Sequence, residues 1–248
     1  MSVTVEKALQ LIEAMSRSGA PIGISQLGRD LALNKSTVYR LVDTLVRHGY
    51  AEQDPETGRY GLTVKLWEMG NGAIRGMGLR QRARPLLERE AARTGEATLL
   101  GIVQGREALI IDKADSLHPL QIVSPLGSRV SLTSSSLGRA LLAFQPAPMI
   151  EALMQGFVPP TPHGIQTPAQ LAEALAQVRA DGVARSVDEW QVGVAGVAAP
   201  VRDAHGLAVG AFCITGPSSR IGGDRMLELA RHCRDAAAEV SALLGHRG

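Results

Sequence analysis

Residues 34–49 read NKSTVYRLVDTLVRHG, and their spacing decides the fold of the first part of the chain. Val38, Leu41, Val42, Leu45 and Val46 recur at helical spacing and give one apolar stripe. The other face carries Lys35, Ser36, Thr37, Tyr39, Arg40, Asp43, Thr44 and Arg47. Asn34 is suited to cap the first turn, and Gly49 to stop the helix. Asp43 and Arg47, four apart, can pair along the surface. One side is thus pinned, while the other shows donors crowded into the first two turns, the part a reading helix presents to bases in a major groove. Taken alone, the same stretch also describes an ordinary surface helix.

Its neighbours separate these readings. Upstream, ISQLGRDLAL (24–33) is a second amphipathic helix, capped by Ser25, with Leu27, Leu31 and Leu33 facing inward. Only a tight turn through Asn34 divides the two, a helix-turn-helix spacing. Downstream, YAEQDPETGRYGLT (50–63) reads as two short strands around Asp54-Pro55-Glu56-Thr57-Gly58, with Arg59 beside the tip. A hairpin after a reading helix is a wing, whose tip lies along phosphates or in the minor groove. The order predicts a DNA-binding domain, with Ser25, Lys35, Ser36, Thr37, Tyr39, Arg40, Thr44 and Arg59 as its contacts. A first helix over 4–15 precedes it, with Val5, Ala8, Leu9, Ile12 and Met15 inward.

At 248 residues the chain has room for two domains. Aromatics make up only 3% of it, so Leu, Val, Ile and Ala must fill the cores. The net charge of +2 is too small to argue for nucleic acid by itself. Its distribution says a little more: residues 1–82 hold eleven Lys or Arg against eight Asp or Glu, and the rest fifteen against sixteen. Two cysteines, Cys213 and Cys233, support neither a zinc site nor a disulfide framework. No cofactor or metal is expected. There is no run of about 18 apolar residues and no signal-peptide pattern, so the expectation is a cytoplasmic protein with no membrane partner.

Lys65 to Met77 reads as a weakly specified helix, because Gly70, Gly72 and Gly76 are poor helix residues. Trp67 and Met69 are bulky for so thin a segment, which suggests a connector packed against a second subunit. Leu79 to Thr94 is a firmer helix, with Pro85 expected to start a new one at its first turn. The rest alternates: strands over 97–103, 108–112, 120–124 and 129–132, helices over 135–144, after Pro148 and over 168–180, strands over 183–187, 194–201 and 208–215, and a last helix over 219–244. The expected fold class is α+β.

Here the sequence resembles the IclR family of transcriptional regulators. The pieces carrying the resemblance are KSTVYRLVDTLVRHGYAEQDPETGRYGLTVKL, SSSLGRALLAF, DGVARSVDEWQVGVAGVAAPV and GAFCITGP followed by Ser219-Arg220-Ile221. The resemblance implies an N-terminal winged helix-turn-helix (1–66), a linker helix (67–82) and a C-terminal GAF-like effector-binding and oligomerisation domain (83–248). It also implies an operator, a homodimer or dimer of dimers, and a small organic acid or derivative as effector. Carried onto this chain, the effector site comprises Ile122, Val130, Ser134, Ser135, Ser136, Leu137, Ser186, Asp188, Gly196, Cys213 and Thr215, with Phe212 a further wall where it faces inward. The family often reads His-Ala-Ser/Thr-Ala/Gly where this chain has Thr133 to Ser136, an acidic pair at Ser186 and Val187, and a Cys at Gly196. These departures fall where ligand contacts are expected. Those at Ser186 and Gly196 remove volume from the inferred wall, which points to a ligand bulkier than a two- or three-carbon keto acid, with an aromatic acid or its derivative the best fit and a branched aliphatic acid the alternative. Glu90 stands where the family is usually apolar, and the sequence offers no reason for it.

Other readings of these residues stay open. Ser134 to Ser136 could be nucleophiles, yet no base, G-x-S-x-G elbow or S-x-x-K motif accompanies them, so an enzyme is not expected. They could simply cap a helix, or their hydroxyls and free N–H groups could hold an anion. Cys213 lies in an apolar strand and reads as a buried, inert thiol. Trp190 is either a pocket wall or part of a loop cluster. Against the leading reading of a ligand-responsive regulator stand a constitutive DNA-binding protein whose second domain only oligomerises, and an enzyme with an appended DNA-binding domain.

Overall fold

The computed structural model describes residues 3–75, 78–155 and 157–247, with side chains of 71–75 left aside. It divides into two compact units, Met1–Gly76 and Met77–Gly248.

The first unit holds α1 (Val3–Ser18), α2 (Ile24–Asp30), α3 (Lys35–Arg47), β1 (Ala51–Gln53), β2 (Tyr60–Leu62) and α4 (Lys65–Arg75). Leu11, Met15, Leu27, Val38, Val42, Leu45 and Tyr60 form its core. This corrects the expected face of α1: Leu11, Ala14 and Met15 are buried, while Val5 and Leu9 are exposed. The helix is apolar on two sides, so spacing alone could not choose between them. Ser25 also does not cap α2; Gly23 takes that position and Ser25 lies inside the helix. Ala32, with φ 52°, turns the chain from α2 towards α3. Leu33 N–H donates to the Gly28 carbonyl at 2.9 Å. A Cβ on Gly28 would come within 2.9 Å of the Leu33 carbonyl, so only glycine fits under this turn.

The second unit is built on a six-stranded antiparallel sheet in the order β5-β4-β3-β8-β7-β6. Its strands are β3 (Ala97–Gln104), β4 (Glu107–Ala114), β5 (Arg129–Ser131), β6 (Ala184–Val187), β7 (Val194–Arg202) and β8 (Ala208–Pro217). On one face lie α5 (Leu79–Thr94) and α9 (Gly223–Leu243), over a core that includes Leu87, Leu100, Val197, Phe212 and Leu229. On the other lie α6 (Ser136–Leu142), α7 (Ala147–Met154) and α8 (Pro168–Asp181), over Leu99, Ile110, Leu137, Leu141, Leu171 and Cys213. Alternating strand residues feed these two cores, which is why neighbours such as Phe212 and Cys213 separate.

Two expected elements differ. Pro85 sits inside a continuous α5. Proline removes one N–H, and here both Pro85 and Gln81, whose carbonyl loses its partner, are exposed, so water can replace the bond. The expected strand over 120–124 is irregular chain, and β4 pairs on that side with β5 alone, through Glu107–Leu109, among the described residues.

Glu90 now has an explanation. Its carboxylate is buried between α5 and α9, where one oxygen accepts from Arg89 Nε at 2.9 Å and Arg93 at 3.2 Å and the other meets His232 Nδ1 at 3.0 Å. Surrounded by cationic and polar partners, a carboxylate in this position is satisfied rather than stranded.

Candidate functional site

Two sites emerge, one in each unit. In the first, the Asn34 side chain accepts from Thr37 N–H at 2.8 Å and from the Ser36 hydroxyl at 2.9 Å, fixing the start of α3. Val38, Val42 and Leu45 bury the inner face of the helix. Lys35, Ser36, Tyr39, Arg40 and Thr44 are exposed and Thr37 is half-buried. Asp43 pairs with Arg47 at 2.9 Å. At the hairpin, Asp54 accepts from Glu56 and Thr57 N–H groups, which hold its carboxyl below the usual range and shape the turn. Arg59 projects beside that turn, exposed. Ser25 is exposed on α2.

In the second unit, a cavity of about 210 Å³ opens between the sheet and the start of α6. Nine of the eleven residues expected at an effector site line it: Ile122, Val130, Ser135, Ser136, Leu137, Ser186, Gly196, Cys213 and Thr215. Gly138 seats α6 against the sheet edge, since a Cβ there would lie 2.1 Å from the Ser131 carbonyl oxygen. β6, β7 and β8 run side by side in register Ser186↔Gly196 and Gly196↔Thr215, forming the floor.

Ser134 and Asp188 do not line the cavity. Ser134 is buried, with its N–H donating to Ser131 Oγ. Asp188 lies in the loop after β6 with φ 58°. Its carboxylate is occupied by the Ser218 side chain and by Gly193 N–H at 2.7 Å, which hold its pKa below the usual value. Phe212 packs on the opposite face of the sheet.

The serines are also not a common anion cradle. Ser135 Oγ donates to the Ser131 carbonyl and accepts from Gly138 N–H at 2.9 Å, and Ser136 N–H donates to Ser186 Oγ at 3.1 Å. The donors expected to converge on a ligand are thus partly spent within the protein. Among the described residues Ser136 Oγ reaches only Cys213 Sγ, at 3.8 Å. Burial pushes the Cys213 thiol up to about 12, so it stays protonated and acts as wall.

Further lining residues lie outside the expected set, and of the two readings of Trp190 the pocket wall is the one observed. Val123, Ser124, Pro125 and Ser128 come from the irregular segment before β5, Trp190 and Gln191 from the loop between β6 and β7, and Val194 from the start of β7. Arg129 is the one formal charge among the lining residues. It lies 3.5 Å from Glu107 and donates to the Gln104 carbonyl. The Trp190 loop is fixed by Arg139, a nearly buried residue of α6. Arg139 makes a two-pronged bond to Glu189 at 2.6 and 2.9 Å and also donates to the Thr133 and Arg185 carbonyls. The partners lie up to fifty positions away, so no local pattern announces them. Among the described residues no group of His, Cys, Asp and Glu is placed to hold a metal, and no helix is long and apolar enough to cross a membrane.

A winged helix-turn-helix joined to an α+β domain with an internal cavity defines a class, the two-domain bacterial transcriptional regulator. The comparisons make this specific. Residues 4–55 match the IclR helix-turn-helix domain, and residues 71–242 match the C-terminal domain of the bacterial transcriptional regulator IclR. The chain is 31% identical over 245 residues to the HTH-type transcriptional regulator XynR of Escherichia coli, covering 98% of this chain and 97% of that one. It is 32% identical over 244 residues to the glycerol operon regulatory protein of Streptomyces griseus, covering 98% and 96%. Among solved structures, an IclR homolog from Microbacterium hydrocarbonoxydans complexed with 4-hydroxybenzoate superposes with a TM-score of 0.87 at 25% identity, covering 97% of this chain and 98% of that one. This chain belongs to the IclR family of transcriptional regulators. It is a DNA-binding regulator and not an enzyme.

Proposed function

We propose that the protein is a ligand-responsive regulator that reads a near-palindromic operator as at least a dimer and releases or engages it in response to a small organic acid or its derivative. Its work is cytoplasmic, its target an operon of catabolism, and its parts a DNA-binding domain (1–66), a linker (67–82) and an effector and oligomerisation domain (83–248). The observation that carries the reading is the cavity beside α6. At about 210 Å³ it has room for a ring-bearing acid, since one water takes up about 30 Å³. Leu99, Ile122, Val130, Leu137 and Val194 supply apolar wall, Trp190 an aromatic one, and Ser136, Ser186, Gln191 and Arg129 polar points. A mostly apolar pocket with a few placed polar groups suits a monocyclic acid better than a two-carbon one. The ligand of the Microbacterium relative, an aromatic hydroxy acid, is of that size class.

On the DNA side, Ser36, Thr37, Tyr39 and Arg40 meet base edges, while Ser25, Lys35, Thr44 and Arg59 sit on the backbone. A twofold pair presents two α3 helices to similar half-sites. Val5 and Leu9 on α1 and Trp67 and Met69 on α4, all more than half exposed, are the apolar surface such a pair would cover. A thermal-shift screen of aromatic and branched aliphatic acids tests the effector reading, because a ligand that binds only the folded state raises its melting temperature. A rise with a monocyclic acid that Ser136→Ala abolishes supports it. A response to glyoxylate or pyruvate, with none to any ring-bearing acid, refutes it.

A further inference from the structure

At the border of the face of α3 that reads bases, and sharing Thr37 and Arg40 with it, the first unit has a notch between α1 and α3, lined by Thr4, Lys7, Thr37, Arg40, Leu41 and Thr44. Two cations from different helices share it, and among the described residues no carboxylate lines it. Neither Lys7 nor Arg40 makes a side-chain hydrogen bond or ion pair with a described residue. The nearest acidic residue on the face of α3, Asp43, is already held by Arg47. Elsewhere the cationic side chains that flank carboxylates are used in pairs, as Arg139 with Glu189 and Arg220 with Glu96. Lys7 is only half-exposed, so its stem rests on the protein while its ammonium has no counter-charge among the described residues. Two like charges drawn together without a counterion favour an anion between them. The hydroxyls of Thr4 and Thr37 add neutral donors to the same notch.

We propose that this notch is a seat for one phosphate of the DNA backbone, with Lys7 of α1 as its principal cation. The seat rests on the role of α3 in DNA binding. A phosphodiester at the edge of the groove that α3 enters would lie against α1, where Lys7 and Thr4 would meet its oxygens, while Thr37 and Arg40 close the notch from α3 and keep their reach to the bases. Such a contact fixes the angle at which α3 enters the groove and carries no sequence information of its own. It also gives α1 two tasks on separate faces: Thr4 and Lys7 towards the duplex, Val5 and Leu9 towards a partner.

The test needs no operator, because a phosphate contact acts on any duplex. The full chain is titrated into a fluorescent 30-base-pair duplex of random sequence, and anisotropy is read from 50 to 200 mM NaCl. Each phosphate neutralised adds about −0.9 to the slope of log K against log salt. Lys7→Ala is expected to make that slope shallower by about 0.9 and to weaken binding about eightfold at 0.1 M salt relative to a 1 M reference. Lys7→Arg is expected to restore the wild-type slope. Arg17→Ala, which removes a charge from the exposed far end of the same helix, is expected to leave it unchanged. Circular dichroism confirms that each variant folds. An unchanged slope for Lys7→Ala overturns the seat. An equal loss with Arg17→Ala also overturns it, because net charge would then explain the effect. If the wild type bound no duplex, the DNA-binding role itself would fall, a result distinct from either.

Discussion

Arg139→Met probes the construction of the cavity more sharply than any change in its lining. The guanidinium is 3% exposed and satisfies four acceptors, two of them the oxygens of Glu189. Methionine keeps much of the volume and removes every donor. Breaking a buried pair by deleting one partner costs about 3–5 kcal/mol, because the remaining charge stays desolvated. Glu189 keeps some contact with water, at 16% exposure, so the lower end applies, about 3 kcal/mol. With a urea m-value near 3 kcal/mol/M, the upper end of the usual range, the midpoint of unfolding falls by about 1 M. Urea unfolding followed by circular dichroism measures this. The double variant Arg139→Met, Glu189→Met removes both charges, so it should be more stable than the sum of the single losses predicts, by more than about 1 kcal/mol. A midpoint shift under about 0.3 M in Arg139→Met, or strict additivity in the double variant, would refute the reasoning.

Four further outcomes follow from particular residues. Arg40→Ala should weaken selected DNA by about 1–3 kcal/mol and relax the preference at one base pair, whereas Arg59→Ala should weaken all sequences alike; binding to a panel of single-base variants separates the two. Gly138→Ala should destabilise the second unit severely, since the new methyl meets backbone at 2.1 Å, and a soluble variant with an unchanged melting temperature would contradict the seating of α6. Cys213, with its pKa raised to about 12 by burial, should resist alkylation in the folded chain at pH 8 and react once the chain is unfolded in urea. For the same thiol the sign of the pH dependence is fixed: the unfolded form ionises from about pH 9 while the folded form holds its proton to about 12, so its contribution to stability declines across that window, as alkaline unfolding curves of wild type and Cys213→Ala would reveal.

The helix-turn-helix and wing were legible because every signal there is local: the stripe on α3, the Asn34 cap and the Asp54 turn lie within a few residues of what they fix. The strands of the second unit were legible for the same reason, apart from 120–124, a run with strand character that joins no sheet. The face of α1 was not legible, since Val5 and Leu9 are as apolar as Leu11 and Met15. Nine of the nineteen lining residues could be placed by resemblance, including Ser186 and Gly196, which face one another across β6 and β7. What the sequence hid was the wiring. Ser135 donates to Ser131 and accepts from Gly138, Ser136 N–H donates to Ser186, and Arg139 reaches Glu189 fifty positions away. Such pairings depend on how α6 lies across the sheet, which no window of sequence contains.

The central claim is that occupancy of the cavity beside α6 changes the grip of α3 on DNA. The direct measurement is the anisotropy of a labelled duplex, selected from a randomised pool by the wild-type chain, as an acid that raises the melting temperature is titrated in. The account predicts that the acid shifts the apparent DNA affinity at least fivefold, the usual lower range of coupling between two sites, and that Ser136→Ala removes the shift while leaving DNA affinity without acid unchanged. An acid that binds the wild type and leaves its DNA affinity untouched would contradict it.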